Sequence, residues 1–320
     1  MNFTSFVQHP ITLRIPMNIF HKLIGIVLSL TLMTLISGCG GGGSTTTSSS
    51  TGTLSLSMTD APPQLGPDVT EVNIAVIGIE YNYEGNWTNA DDFEPQTFNL
   101  LDLQNGKSLH LGDMILPAGN YSEIRFKLAA PTKESEVKSN PDCNITFGDG
   151  TSEPLFVPSG GESGYKGKGA FEITANAKIE VTADFDVHKS IVVTGNRKYL
   201  LKPVIRLVVT ELSGTINGTV VDVADYNSTS DSLVVYTYRS GEYNAGEEDE
   251  IDGISFPNAV SSSDVNMSDG NFTLSFLGEG NYSLVTAQYI EDTFAAVVDV
   301  ENNVEVLKGQ SAFVDINTSN

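Results

Sequence analysis

Two aspartates on one predicted strand could hold a cation. Asp184 and Asp186 are separated by a single phenylalanine, and residues two apart in a strand lie on the same face. Such a carboxylate pair can bind Ca²⁺ if a third oxygen donor approaches, and Asp60, which follows another predicted strand, is grouped with the pair. Two alternatives stay open, because the carboxylates could instead be solvated or form ion pairs with Arg125 and Arg206.

A run of carboxylates in a long loop is a second candidate cation site. Five of the six residues from 247 to 252 are acidic: Glu247, Glu248, Asp249, Glu250 and Asp252. Like charges at this density repel one another unless cations gather around them. The run therefore fits a weak Ca²⁺ site and equally a solvated acidic loop.

Three aromatic residues near one predicted hairpin could bind a sugar. Tyr81, Tyr83 and Trp87 lie within seven residues of one another, and exposed, coplanar aromatic rings can stack on a sugar ring. The same alternation also suits packing between neighbouring strands. A carbohydrate-binding module is therefore one functional hypothesis.

Composition and motifs exclude several other classes. The formal net charge is −23, so the chain repels phosphate backbones and no nucleic-acid partner is expected. Two cysteines and four histidines form no zinc-binding or metalloprotease spacing, and no Gly-x-Ser-x-Gly motif is present. We therefore expect a protein that is not an enzyme and has no cofactor, with Ca²⁺ binding kept as an alternative and a carboxylate-based hydrolase as the least favoured one.

The elements that must position these residues are predicted to be short strands separated by Gly and Pro turns. Strands are expected over 54–58, 71–83, 96–101, 121–128, 145–147, 155–157, 169–173, 177–185, 190–194 and 200–209. Further strands are expected over 213–223, 232–238, 271–276, 282–287, 293–300 and 310–316. The best helical segment, 105–114, is expected to form one short turn. This pattern is typical of an all-β protein with two β-sandwich domains.

The first 38 residues have the layout of a signal peptide. They contain no acidic residue, carry Arg14 and Lys22, and include an apolar run over 23–35 that is shorter than the ~20 residues needed to span a bilayer. Either Met1 or Met17 could begin it. A Gly, Ser and Thr tract completes the segment 39–52 and is expected to be a flexible linker.

The residues at the end of this segment resemble the lipobox of bacterial lipoproteins. They read Leu35-Ile36-Ser37-Gly38-Cys39. The resemblance implies cleavage before Cys39, acylation of that cysteine and attachment to the membrane through several acyl chains. Because Gly40 stands where an Asp would retain the product at the inner membrane, the resemblance favours the outer membrane of a bacterial cell envelope.

Several blocks in the segment 53–210 follow one order. They are Thr59-Asp60-Ala61-Pro62, a strand running to Trp87, Leu100-Leu101-Asp102-Leu103, Leu116-Pro117-Ala118-Gly119-x-Tyr121, Asp184-Phe185-Asp186 and Tyr199-Leu200-Leu201-Lys202-Pro203-Val204-Ile205-Arg206. In this order they resemble the bacterial and archaeal family called domain of unknown function 4382. The resemblance implies a secreted or lipid-anchored protein whose biochemical role is unassigned.

The segment 211–320 differs in composition and is predicted to be a second domain. It carries 19 acidic residues against Arg239 and Lys308. Its Asp269-Gly270-Asn271-Phe272 and Gly280-Asn281-Tyr282 phrases resemble those of carboxypeptidase regulatory-like, transthyretin-type β-sandwiches. The resemblance implies a fold and no particular activity.

The sequence as a whole predicts a lipid-anchored envelope protein that is not an enzyme and presents β-sandwich loops for binding or adhesion. A carbohydrate-binding module is the alternative. The partner, whether glycan or protein, is not specified by any motif.

Overall fold

The computed structural model describes residues 50–61, 69–129, 142–157, 163–194, 198–248, 254–291 and 293–319. These residues lie in one compact unit, Ser49–Asn320. The predicted signal peptide, Cys39 and the linker up to residue 49 fall outside the described residues, as do Asp249, Glu250 and Asp252. Within the described ranges no helix is long and apolar enough to cross a bilayer.

The segment 51–209 forms one sheet of thirteen strands. The strands are β1 Thr51–Ala61, β2 Val69–Tyr83, β3 Asn86–Asn89, β4 Gln96–Asn99, β5 Leu109–Pro117, β6 Gly119–Leu128, β7 Asn144–Phe147, β8 Ser152–Phe156, β9 Tyr165–Ile173, β10 Lys178–Asp186, β11 Ile191–Val193, β12 Tyr199–Leu201 and β13 Ile205–Val209. Their order across the sheet is β11-β12-β8-β7-β2-β6-β9-β13-β10-β1-β5, and β3 and β4 pair with β2. A 3-10 helix, Leu100–Leu103, and the short helix α1, Val187–Ser190, interrupt the strands.

Alternation of side chains explains why this sheet encloses a core. In β1 the residues Leu54, Leu56 and Met58 are fully buried, because every second side chain of a strand faces the same way. They join one cluster of apolar residues to which strands from both ends of the sheet contribute, including Ile145 of β7 and Leu201 of β12. The sheet therefore folds over a single hydrophobic core.

The segment 213–316 forms two smaller sheets. The strands are β14 Ser213–Val220, β15 Asp231–Arg239, β16 Ser261–Asp264, β17 Asn271–Gly278, β18 Gly280–Ile290, β19 Thr293–Val306 and β20 Ser311–Ile316. Short 3-10 helices occupy Thr210–Leu212, Val223–Asp225 and Ala245–Glu247. One sheet has the order β17-β14-β20 and the other β16-β15-β18-β19.

These two sheets share a core and form a β-sandwich. Ile216 and Leu274 of the three-stranded sheet pack in one cluster with Leu233 and Leu284 of the four-stranded sheet. The opposite side of β15 and β18 is also buried, since Tyr236 and Val285 pack with Phe256 from the segment after the acidic run. The all-β prediction is therefore confirmed, and the division into two domains stays a prediction.

Each half contains the same tyrosine arrangement after a glycine. The Tyr121 hydroxyl donates to the Pro117 carbonyl at 2.6 Å, and the Tyr282 hydroxyl donates to the Gly278 carbonyl at 2.6 Å. Both rings are buried, so the Gly-x-Tyr phrases of the sequence fix the start of β6 and β18 and have a structural role.

The expected helical turn over 105–114 is wrong, because these residues form a turn and then β5. Asn105 and Gly106 both have positive φ, as an Asn-Gly turn requires. A bulge then shifts the register between β1 and β5 so that Leu56 pairs with Gly112 but Ser57 with His110. The bulge breaks the alternation of buried residues and gives the spacing that suggested a helix.

Candidate functional site

Three aspartates near strand ends of the large sheet lie close to a fourth, from the β-sandwich of 213–316, where the two contact each other. We call this contact region, which contains Asp60, Asp184, Asp186, Asp264 and Arg206, the seam. Because β1 and β10 pair in parallel, with Thr59 opposite Asp184, they end at the same edge. Asp264 ends β16 of the other sheet.

The predicted carboxylate pair lies in the seam, where each carboxylate forms an ion pair with a different basic side chain. Asp184 Oδ2 accepts from the Arg206 guanidinium at 2.6 Å, and Asp186 Oδ2 lies 3.0 Å from Lys189 Nζ. Asp186 Oδ1 also accepts from the Lys189 backbone N–H at 3.0 Å, which caps α1. The alternative of an ion pair with Arg206 describes Asp184, whereas Arg125 pairs with Glu80.

Burial changes the acidity of these carboxyl groups. Burial raises the pKa of Asp184, and the Arg206 guanidinium opposes this effect. Burial also raises the pKa of Asp264, to about 7. Both shifts arise because an ionised carboxylate loses its hydration inside the protein.

Asp60 differs from its neighbours in having an unsatisfied oxygen. Its Oδ1 accepts from the Val187 backbone N–H at 3.1 Å, while its Oδ2 is buried and has no hydrogen-bond partner among the described residues. Only 5% of the residue is exposed. Burial raises the pKa of Asp60 well above its usual value, the Val187 hydrogen bond opposes this, and the charges of Asp184 and Asp186 add to it.

A small polar cavity lies beside Asp60 at the seam. Its lining includes the carboxylates of Asp60 and Asp184, and the hydroxyl residues Ser261, Ser262 and Thr273 from the other half. It leaves about 10 Å³ for the centre of a water-sized sphere, which is about the space of one water molecule.

Direct hydrogen bonds also join the two halves at the seam. Arg206 donates to the Phe276 carbonyl at 2.9 Å, and Lys189 Nζ donates to the Ala259 carbonyl. His188 Nε2 lies 3.0 Å from the Ser255 carbonyl oxygen. Arg206 and Lys189, which pair with Asp184 and Asp186, therefore also donate to backbone carbonyls of the second half.

The acidic run is described only at Glu247 and Glu248. Glu247 is buried and accepts from the Tyr238 hydroxyl at 2.9 Å and from the backbone and side chain of Asn258 at 3.2 and 3.1 Å. Glu248 accepts from the Tyr243 hydroxyl at 2.7 Å. Glu247 therefore joins the described start of this loop to Tyr238 of β15.

The three aromatic candidates do not share a face. Tyr81 and Tyr83 pack against the buried ring of Tyr121, with ring centroids 6.2 and 5.8 Å away. Trp87 is paired with Asn82, on the alternate face of β2, and the Arg125 guanidinium lies 3.9 Å from its ring centroid. The Trp87 ring therefore does not form a common stacking surface with the rings of Tyr81 and Tyr83.

Sequence reasoning missed an exposed aromatic on the sandwich. Phe313 of β20 is 81% exposed and pairs with Asn217 of β14, which pairs with Thr273 of β17. Together with neighbouring polar residues they line an open hollow of about 310 Å³. The signal in the sequence is the alternation of β20, which places one large apolar side chain between Ser311 and Asp315.

No metal site of three carboxylate, His or Cys side chains occurs in the described part of the chain. The Ca²⁺ prediction is thus not tested for the full acidic run and stays a prediction. Cys143 is buried, and burial raises the pKa of its thiol to about 11, which disfavours the reactive thiolate.

Comparison with known families finds a match within the first half of the chain. Residues 51–203, just under half of the chain, match the family model described as Domain of unknown function (DUF4382). The predicted resemblance is confirmed for these residues. No curated protein matches the chain, and the lipoprotein and transthyretin-type resemblances stay predictions.

Comparison with solved structures finds bacterial proteins, two of them pilins, with weak superposition. The Bacillus anthracis TIE protein is 13% identical with a TM-score of 0.21, covering 83% of this chain and 34% of that one, so the chain spans about a third of its length. The minor pilin GBS52 of Streptococcus agalactiae is 10% identical, covering 82% and 94%, with a TM-score of 0.19. The shaft pilin SpaA of Lactobacillus rhamnosus GG is 10% identical, covering 83% and 96%, with a TM-score of 0.20.

Proposed function

We propose that this protein is a lipid-anchored component of the bacterial cell envelope, not an enzyme, and that it binds a glycan through the sheet face around Phe313. The observation that carries the proposal is the exposed Phe313 ring on an otherwise polar strand face. A large exposed apolar side chain rimmed by polar groups is typical of a binding surface.

The polar groups around the ring suit a carbohydrate better than an apolar partner. Asn271 Oδ1 accepts from Thr219 at 3.0 Å, and Asn217 Oδ1 accepts from Thr273 at 3.1 Å. Each side chain amide thus uses its oxygen within the sheet and presents its NH₂ group as a donor. Asp315, paired with Thr219, adds carboxylate acceptors, so the face offers donors and acceptors for hydroxyl groups beside a ring for stacking.

The hydrolase alternative is disfavoured by the size of the seam cavity. Asp60 and Asp184 line it together, as a carboxylate-based active site would require. The space admits about one water molecule, which is far less than a sugar ring occupies. We therefore assign these carboxylates no catalytic role.

The anchoring part of the proposal rests on the sequence before the folded unit. Cys39 ends the lipobox-like residues and is followed by a tract of Gly, Ser and Thr up to Thr51. Tracts of this composition are typical of linkers, so we propose that it connects the acylated cysteine to the folded unit. We place the anchor in the outer membrane because of Gly40.

Binding to insoluble polysaccharides tests the glycan assignment. The full chain, extracted in detergent, is mixed with peptidoglycan, chitin, cellulose and xylan, and the bound fraction is measured after sedimentation. We expect retention on at least one polymer, loss of at least about tenfold in affinity for Phe313→Ala, and retention for Phe313→Trp because it keeps an aromatic ring.

Two matched variants complete this experiment. Ile115 is 63% exposed on β5, so Ile115→Ala removes apolar surface elsewhere and is expected to bind like the wild type. Trp87→Ala tests the aromatic group singled out from the sequence and is also expected to bind. Equal binding by Phe313→Ala and wild type, or binding to none of the four polymers, would contradict the glycan assignment.

A further inference from the structure

We propose that the seam cavity binds one Ca²⁺ ion through Asp60 and Asp184, together with oxygen atoms from the second half of the chain. This site is separate from the Phe313 face and does not depend on the glycan proposal. It also differs from the acidic run, where Glu247 and Glu248 bind tyrosine hydroxyl groups.

The first observation is the orphaned oxygen of Asp60. Oδ2 is buried without a hydrogen-bond partner in the described part of the chain, and the residue lines the cavity. A buried acceptor left unsatisfied costs about 1–3 kcal/mol, and more when it is charged. A cation in the cavity would satisfy this oxygen.

The second observation is the chemistry of the lining. Besides the two aspartates, the cavity is lined by Asn105, Ser261 and Ser262, whose side chains carry an amide and two hydroxyl groups. Oxygen atoms of carboxylates, amides and hydroxyls are the donors that hard cations prefer, and Ca²⁺ accepts an irregular set of them. The space for about one water molecule also suits a single ion.

The third observation is the balance of charge. Arg206 pairs with Asp184 and Lys189 pairs with Asp186, which leaves the carboxylates of Asp60 and Asp264 without a cationic side chain among the described residues. Asp264 acts on Asp60 as a like charge, together with the paired aspartates Asp184 and Asp186. The remaining neighbour, His188, contacts the Ser255 carbonyl and the Tyr236 ring. A divalent cation would balance the two unpaired carboxylates.

A cation here would join the two halves of the molecule. Asp60, Asn105 and Asp184 come from the first half, whereas Ser261 and Ser262 come from the second. The ion would bind the folded seam and not the unfolded chain, so it would raise the stability of the whole described unit.

Thermal unfolding of the full chain in detergent, first in EDTA and then with increasing Ca²⁺, tests this site. At a Ca²⁺ concentration about 100 times the Kd, we expect Tm to rise by roughly 5 °C or more. Asp60→Asn keeps the shape of the side chain and removes its charge, so we expect Tm in EDTA to equal or exceed that of the wild type and the rise with Ca²⁺ to disappear.

Control variants separate the seam from other carboxylates. Glu180→Gln changes an exposed carboxylate on β10, and the double variant Glu250→Gln/Asp252→Asn changes the acidic run; both are expected to keep the response. If Asp60→Asn does not fold, calorimetry of the wild type is expected to give one Ca²⁺ per chain, and Ser262→Ala to weaken binding about tenfold. No response in the wild type, an unchanged response in Asp60→Asn, or loss in the acidic-run variant would overturn the proposal.

Discussion

At the scale of single residues, the seam is defined by how each aspartate is satisfied. Asp184 pairs with Arg206 and Asp186 with Lys189, whereas the partner of Asp60 within the described ranges is the Val187 backbone N–H. Removing one partner from a buried ion pair leaves an uncompensated charge and is strongly destabilising. The pairs therefore specify how the two halves meet, because Arg206 and Lys189 also donate to backbone carbonyls across the seam.

The raised pKa of Asp264 predicts a pH dependence of stability. Burial raises the pKa of Asp264 to about 7 from 3.8, so between about pH 4 and pH 7 the folded state keeps a proton that the unfolded state has lost. The contribution of Asp264 to the free energy of unfolding therefore falls as pH rises through this window, by at most about 1.4 kcal/mol per pH unit.

Comparison with a variant isolates this contribution. In EDTA, the free energy of unfolding of the wild type is expected to decrease relative to that of Asp264→Asn between pH 4 and pH 7, with no further relative change above pH 7. Urea unfolding at each pH measures the difference. A difference that stays constant across the window would show that Asp264 does not retain its proton in the folded protein.

One residue-level alternative from the sequence describes a contact between adjacent strands. The ion pair of Asp184 with Arg206 was one of the alternatives open from sequence, since opposite charges on adjacent strands attract. The orphaned oxygen of Asp60 depends on packing between distant segments, which local residue patterns do not encode. The alternation of β20 places Phe313 on one strand face, but its exposure also requires that no other described element covers that face.

At the scale of elements, close approach between strands limits which residues fit. A Cβ atom at Gly169 of β9 would lie 2.1 Å from the Leu207 carbonyl oxygen of β13. We therefore expect Gly169→Ala to destabilise the protein by about 1–3 kcal/mol, because backbone has to shift to relieve the overlap. Urea unfolding of the full chain measures this loss.

A second strand glycine provides the control. A Cβ atom at Gly78 of β2 would lie 3.6 Å from the nearest atom, in Lys127, which is ordinary contact. Gly78→Ala is therefore expected to change the free energy of unfolding by less than about 0.5 kcal/mol. Equal losses in the two variants would show that the β9–β13 contact does not determine the cost.

The sequence predicts that a strand is present more reliably than it predicts where that strand begins, ends or is interrupted. The long apolar strand predicted over 71–83 is β2, whereas the segment predicted over 200–209 is split into β12 and β13 because Pro203 cannot donate to a ladder. The short strands β3 and β16 were not predicted, since their residues are mostly polar. The bulge between β1 and β5 likewise changes the spacing of the buried residues in β5, which is why the sequence suggested a helical turn there.

At the scale of the whole molecule, the lipid anchor is the prediction with the plainest test. Cys39→Ala removes the residue that would carry the acyl chains, and we expect the variant to move from the membrane pellet to the soluble fraction after cell fractionation. Several acyl chains are needed for stable attachment. Recovery of Cys39→Ala in the membrane pellet would contradict the lipoprotein assignment.

The seam also explains what sequence could not show about domain organisation. The change in acidity near residue 210 predicts a boundary, and the 3-10 helix Thr210–Leu212 does separate β13 from β14. The contacts of Lys189, His188 and Arg206 with the second half bring together residues about 70 positions apart. Composition indicates where the acidity of the chain changes, but it does not predict contacts between such distant residues.

Both halves complete their sheets with strands that are far apart in the chain. β1 pairs in parallel with β10, matching Thr53 with Lys178, and β14 pairs in parallel with β20, matching Thr215 with Ser311. Contacts between such distant segments make folding slow, because the loop between them must close first. Each half therefore remains incomplete until a strand synthesised much later arrives, and this delay suits a chain whose predicted signal peptide requires passage through a membrane before folding.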